Sequence, residues 1–118
     1  MGHQQLTRFE FGGTGMFHIL NLLEDCDLEN KDAEELERIE YIFEKDLPHP
    51  DINWSKDMHC WFTSEGVTRF RDELEAFAYL VYLYLEGAGF GTFDIRKGKP
   101  DGDIVYRDEY QVVVKNIK

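Results

Sequence analysis

The side chains best suited to metal binding or nucleophilic attack include Cys26, Cys60, His18, His49 and His59. Their intervals show none of the paired spacings of a zinc site. Two cysteines are too few for a disulfide framework, and both are expected as reduced thiols. A cysteine–histidine nucleophile pair needs no closeness in sequence, so an enzyme with a dispersed site remains one alternative. Asp25, Asp27 and Glu29 alternate as calcium ligands do in an EF-hand. Asn30 then stands where that loop needs glycine, and Leu36 where it needs a bidentate glutamate, so an EF-hand is excluded. Gly12-Gly13-Thr14-Gly15 falls between a strand pattern and an apolar run, the arrangement that can cradle phosphate at a helix N-terminus. It lacks both the Gly-Lys-Ser/Thr ending and the third glycine of a dinucleotide fingerprint, and is read as a tight turn. No metal, cofactor or catalytic residue is expected from these patterns, and the chain is not expected to be an enzyme.

The strongest chemical signal is charge. The chain of 118 residues carries a net −11. The block from Glu24 to Asp46 has eleven acidic against three basic side chains, a net of −8. Direct binding to nucleic acid is disfavoured, because phosphates would repel such a chain, and a basic protein partner is favoured. Leu36, Ile39, Phe43 and Leu47 make an apolar helical stripe through the second half of the block. Asp32 with Glu35 resembles a capping box, and Pro48 ends the helix. On another face Glu34, Glu37, Tyr41 and Glu44 recur at steps of three and four, with Glu40 beside them. Such neighbours are about 5–6 Å apart. Phosphates along one extended nucleic-acid strand are roughly 6–7 Å apart. A row of carboxylates on a rigid helix can therefore stand in for phosphates, with Tyr41 as an aromatic anchor. A solvated face is the plainer reading of the same residues.

The run from Thr63 to Leu85 reads as a long central helix. Val67, Phe70, Leu74, Phe77, Val81 and Leu85 follow the helical period, and Thr63 or Ser64 can cap it. Ala76–Leu85 carries no charge, so this part is expected to be wrapped on every side. It is about half the length needed to span a bilayer. No segment near Met1 combines a basic end with a long apolar run, and a cytoplasmic protein is expected. Strands are expected at Leu6–Phe11, with Phe9 and Phe11 inward and Arg8 and Glu10 outward, and at Met58–Thr63. Further strands are expected at Phe90–Lys97, Ile104–Tyr106 and Tyr110–Val114. Met16–Leu23 is read as a short helix, Pro48–Asn53 as a loop, and Lys99-Pro100-Asp101-Gly102 as a turn. The expected fold is one α+β domain over residues 1–118. A small antiparallel sheet packs on the long central helix, with the acidic helix as the second.

Two phrases carry a resemblance. Trp61-Phe62-Thr63-Ser64-Glu65-Gly66 followed by Phe70, and the C-terminal run Ile104 to Val114, resemble stretches of small proteins from phages and other mobile elements. With its small size and one acidic helix, the chain is similar to many anti-CRISPR proteins. That class is defined by function and shares no fold, so the resemblance transfers no residue roles. It implies an inhibitor in the host cytoplasm that occupies the basic nucleic-acid channel of an RNA-guided nuclease. The expected partner surface is Glu34, Glu37, Glu40, Tyr41 and Glu44. An ordinary cytosolic interaction or structural domain, acidic only for solubility, is the main alternative.

Overall fold

The computed structural model describes residues 5–12, 14–100 and 102–116. The fold is α+β. Its elements are β1 (Leu6–Phe11), β2 (Thr14–Gly15), α1 (Met16–Glu24), α2 (Asn30–Asp46) and β3 (Met58–Phe62). They continue with α3 (Ser64–Arg69), α4 (Arg71–Val81), a π-helical turn (Tyr82–Glu86), β4 (Phe93–Gly98), β5 (Asp103–Arg107) and β6 (Gln111–Lys115). All strand pairs are antiparallel. β4 lies along the whole of β1, while β3, β6 and β5 follow on the other side.

β2 and β3 share one edge of β1 and reach only its two ends. β2 pairs with Glu10 and Phe11, and β3 with Thr7. Arg8 and Phe9 therefore lie at a gap in the sheet. Gly12, at φ 58, makes the tight turn between β1 and β2. Gly13 lies outside the described residues, as does Asp101 of the turn after β4.

The helices cover the face that carries Phe9, Phe11 and Phe62. Ile19, Leu23, Leu36, Ile39, Phe43, Phe70, Leu74, Phe77, Val81 and Leu85 are buried there, as the helical periods require. Aromatic rings dominate the centre. Phe70 packs against Phe43 at 5.2 Å and Tyr110 at 5.4 Å between centroids. Trp61, next to Phe62 on β3, points the other way and joins Leu6, Val112 and Val114 in a smaller cluster.

The long central helix is in fact three pieces. Phe70, at φ −108 and ψ 24, breaks the run between α3 and α4. The cause lies upstream. Thr63 caps α3 through its hydroxyl, which accepts from the Gly66 N–H at 3.0 Å and donates to the Glu109 carbonyl at 2.7 Å. A Cβ on Gly66 would come within 2.1 Å of the Tyr110 carbonyl oxygen, so only glycine allows α3 to approach so closely. The two phrases Trp61–Gly66 and Ile104–Val114 thus dock on each other. α3 is aimed by that contact, and the chain must turn at Phe70 to lay α4 on the core.

The end of the run differs too. Tyr79, Tyr82 and Leu83 are exposed, so the uncharged stretch is covered on one side only. The Gly87 N–H bonds the Tyr82 carbonyl at 2.7 Å, five residues back, which defines the wider turn. β4 begins at Phe93, not Phe90, because the Glu86 carboxylate takes the Phe93 N–H at 2.8 Å after the glycine-rich exit. The capping box at Asp32 is also absent. Glu29 is the N-cap of α2 without a side-chain bond, and Asp32 lies inside the first turn. The Asp32 carboxylate accepts instead from the Tyr84 hydroxyl at 2.5 Å, and the Glu29 N–H donates to the same hydroxyl oxygen at 3.2 Å. Among the described residues no helix is long and apolar enough to cross a membrane.

Candidate functional site

The acidic helix α2 has three faces. Leu36, Ile39 and Phe43 enter the core. Glu34, Glu37, Tyr41 and Glu44 stand together in solvent, with Tyr41 62% exposed. The i, i+3 and i, i+4 steps that place them on one side of the helix also keep them off the core stripe. Arg38 does not neutralise this face. Its guanidinium turns across the helix to Glu35 at 2.6 Å and to Glu73 of α4 at 2.8 Å. Those bonds raise the affinity of Arg38 for its proton and hold the Glu35 carboxyl below its usual range. Lys45 lies over the Tyr41 ring at 5.8 Å. Among the described residues no cation stands at ion-pair distance from Glu34, Glu37 or Glu44.

Glu40 departs from the row. It is half-buried at the border with α1, and burial, the Glu24 carboxyl and the charge of Glu37 push its pKa up to about 7. At neutral pH it holds a proton part of the time, so Glu34, Glu37 and Glu44 carry most of the charge.

Beyond Glu40 a cleft of about 750 Å³ opens at the gap in the sheet. The start of α1, the inner edge of α2, the 47–54 segment and β3 line it. Arg8 forms part of its lining and is 3% exposed. The alternation in β1 had placed Arg8 and Glu10 in solvent. The structure buries Arg8 and leaves Glu10 partly exposed beside it, with β4 covering one edge of β1 and β2 the end of the other. The Glu10 carboxylate lies 2.5 Å from the Arg8 Nε and 3.5 Å from an Nη of Arg96. Trp54, also of the cleft, stands 51% exposed.

Cysteine and histidine are not brought into a working pair on β3. The Cys60 thiol donates to the Gln111 Oε1 at 3.2 Å, and burial pushes its pKa up to about 12. Such a thiol stays protonated at neutral pH and is a poor nucleophile. His59 is instead bonded to Asn116 at 3.1 Å. Gln111, fully buried, donates from its Nε2 to the Pro48 carbonyl at 2.5 Å and to Asp108 at 3.1 Å, pinning the 47–54 segment to the sheet. The Cys26 thiol donates to the Leu22 carbonyl at 3.4 Å, and burial raises its pKa. Among the described residues no group of three or more His, Cys, Asp or Glu side chains could hold a metal ion.

Comparisons with protein-family models, with curated proteins and with solved structures found no match.

Arg8 and Trp54 were not legible as site residues from sequence. Arg8 follows ordinary strand alternation, and Trp54 sits in a loop without a pattern. The only signal was indirect: the glycine turn that follows Arg8 and leads into α1.

Proposed function

We propose that the chain is an acidic interaction protein whose outer α2 face docks on a basic, nucleic-acid-binding surface of a protein partner, such as the channel of an RNA-guided nuclease. The observation that supports this reading is the row Glu34, Glu37, Tyr41 and Glu44, exposed on one rigid helix with no pairing cation among the described residues. A basic channel without its nucleic acid holds like charges close together. The helix relieves that repulsion and releases bound anions, so association is fast and weakens with salt. Each exposed carboxylate contributes only about 0.2–1 kcal/mol, and the effect comes from several acting together. Tyr41 supplies the ring around which interface energy concentrates. Glu40, which holds part of a proton at neutral pH, contributes less than its neighbours.

The test is capture of partners from a bacterial lysate at low and high salt, with mass spectrometry. Wild type is compared with a variant carrying Glu34→Lys, Glu37→Lys, Glu40→Lys and Glu44→Lys, its fold confirmed by circular dichroism. Basic nucleic-acid-binding proteins should be retained by wild type at low salt and lost from the folded variant. The same proteins held equally by both would overturn the proposal.

A further inference from the structure

The cleft at the sheet gap makes a second demand that the acidic helix does not explain. Arg8 is buried, with its side chain 4% exposed. Burying a guanidinium is costly unless its N–H groups are paired. The Glu10 carboxylate meets only Nε, and off the N–H direction, so that Nε makes no hydrogen bond. No side chain or carbonyl among the described residues accepts from the two Nη groups. The same carboxylate also serves Arg96, so two guanidinium groups share one negative charge.

The N-terminus of α1 converges on the same place. Its first N–H groups lack partners within the helix, as at any helix start. Gly15, the N-cap, offers no side-chain cap, and the first turn holds no acidic residue to balance the helix dipole. The Arg8 Nη2 lies 3.7 Å from where a Cβ on Gly15 would stand. Gly15 has φ −87 and ψ 178, which any residue adopts. A methyl group there would make only ordinary contacts, so neither backbone nor packing calls for glycine. Glycine leaves open the space between the guanidinium and the helix start, which a larger side chain would occupy.

We propose that this cleft binds a small molecule carrying one oxyanion group, a carboxylate or a phosphate, on an apolar body. The anion sits between the Arg8 guanidinium and the first N–H groups of α1. These donors match an oxyanion in charge and direction. The apolar body lies against Met16, Met58 and Phe62, with Phe17 and Trp54 at the mouth. The volume is in the usual range for small-molecule sites, about 300–1,000 Å³. Glu40 and Glu44 line the opposite wall, which disfavours a ligand with a second anionic group.

The test uses phenyl phosphate and benzoate as probes and phenol as the uncharged control. Binding to the full chain is followed by calorimetry and by amide and arginine Nε–H NMR shifts. One of the two anions should bind saturably, with shifts at Arg8 and at Met16–His18, and phenol should not. Phenyl phosphate binding the tighter identifies the group as a phosphate, and benzoate the tighter as a carboxylate. Arg8→Met should weaken the preferred anion by about tenfold or more, the loss of a charge-assisted contact. Gly15→Val, which fills the space beside the guanidinium, should weaken it similarly while circular dichroism stays native. It carries the test if Arg8→Met does not fold. Phenol binding as well as the anions, no saturable anion binding, or undiminished binding in folded Gly15→Val would each overturn the proposal.

Discussion

Glu40 lies where the solvent face of α2 meets α1, and its position makes its proton a reporter of the fold. Burial and the neighbouring Glu24 carboxyl raise its pKa from 4.5 to about 7. Between those values the folded state binds more protons than the unfolded chain, so stability falls as pH rises. The contribution is fully present below about pH 4.5 and is lost as pH rises through about 7. A displacement of that size bounds the effect at about 3 kcal/mol. Solvent screening at a half-buried site brings it to about 1 kcal/mol. Glu40→Gln, which keeps the shape and carries no charge, should flatten the stability curve between pH 5 and pH 8 by about that amount. Urea denaturation at several pH values measures it, and an unchanged slope would place Glu40 in free solvent. Residue periodicity placed Glu40 near the acidic row but could not show how deep it sits, because depth depends on the neighbouring α1. Arg8 was hidden for a similar reason. Alternation distinguishes two faces of a strand, and it cannot show that neighbouring elements cover both of them at Arg8.

At the scale of elements, local signals located helices and strands well where they act within a few residues. The cap at Thr63 is one such signal: a hydroxyl reaches an N–H three residues on without help from elsewhere. Breaks imposed from a distance were illegible. The turn at Phe70 follows from α3 touching Tyr110, more than forty positions away. Asp32 shows the same competition. It had the type and spacing of a cap, but the Tyr84 hydroxyl reaches it from the π-helical turn and takes it into α2's first turn. The bond to the Asp32 carboxylate raises the pKa of Tyr84, because it favours the protonated hydroxyl. The hydroxyl ties the start of α2 to the end of the α4 run, donating to Asp32 and accepting from the Glu29 N–H. Tyr84→Phe removes both bonds and leaves the ring in place. Urea denaturation should show a loss of stability, because both bonds are removed at once. Amide exchange should speed up at Glu29 and in Tyr82–Gly87 more than in β6. Uniform faster exchange would mean that the hydroxyl supports the whole fold and not this joint.

Over the whole molecule, sheet order was beyond the sequence, because a short turn suggests that two strands run antiparallel but does not fix which strands pair. β4 and β5 follow each other in the chain yet occupy opposite margins of the sheet. Five steps of chain from Gly98 to Asp103 span at most about 18 Å, and four strand spacings in a flat sheet need about 19 Å. The twist and coiling of a sheet bring such margins closer, and Leu6, Trp61, Val112 and Val114 cluster on the face away from the helices. Charge is distributed just as unevenly. The net −11 is concentrated in the segment that forms the end of α1 and all of α2, while ion pairs engage Glu10, Glu35, Asp46 and Glu73. The remaining carboxylates repel one another in the compact state more than in the extended chain. Raising ionic strength from about 0.01 M to about 0.1 M shortens the screening length from about 30 Å to about 10 Å. That shields this repulsion and should stabilise the fold by about 1 kcal/mol, or roughly 4 °C in melting temperature. Docking of α2 on a basic surface responds in the opposite direction, because salt screens its attraction. The same addition should therefore raise the melting temperature while it weakens partner capture, so loss of binding cannot be ascribed to unfolding. A melting temperature that falls with salt would show that attractive pairs outweigh the repulsion. The acidic face would then be committed to holding the fold together and not free to meet a partner.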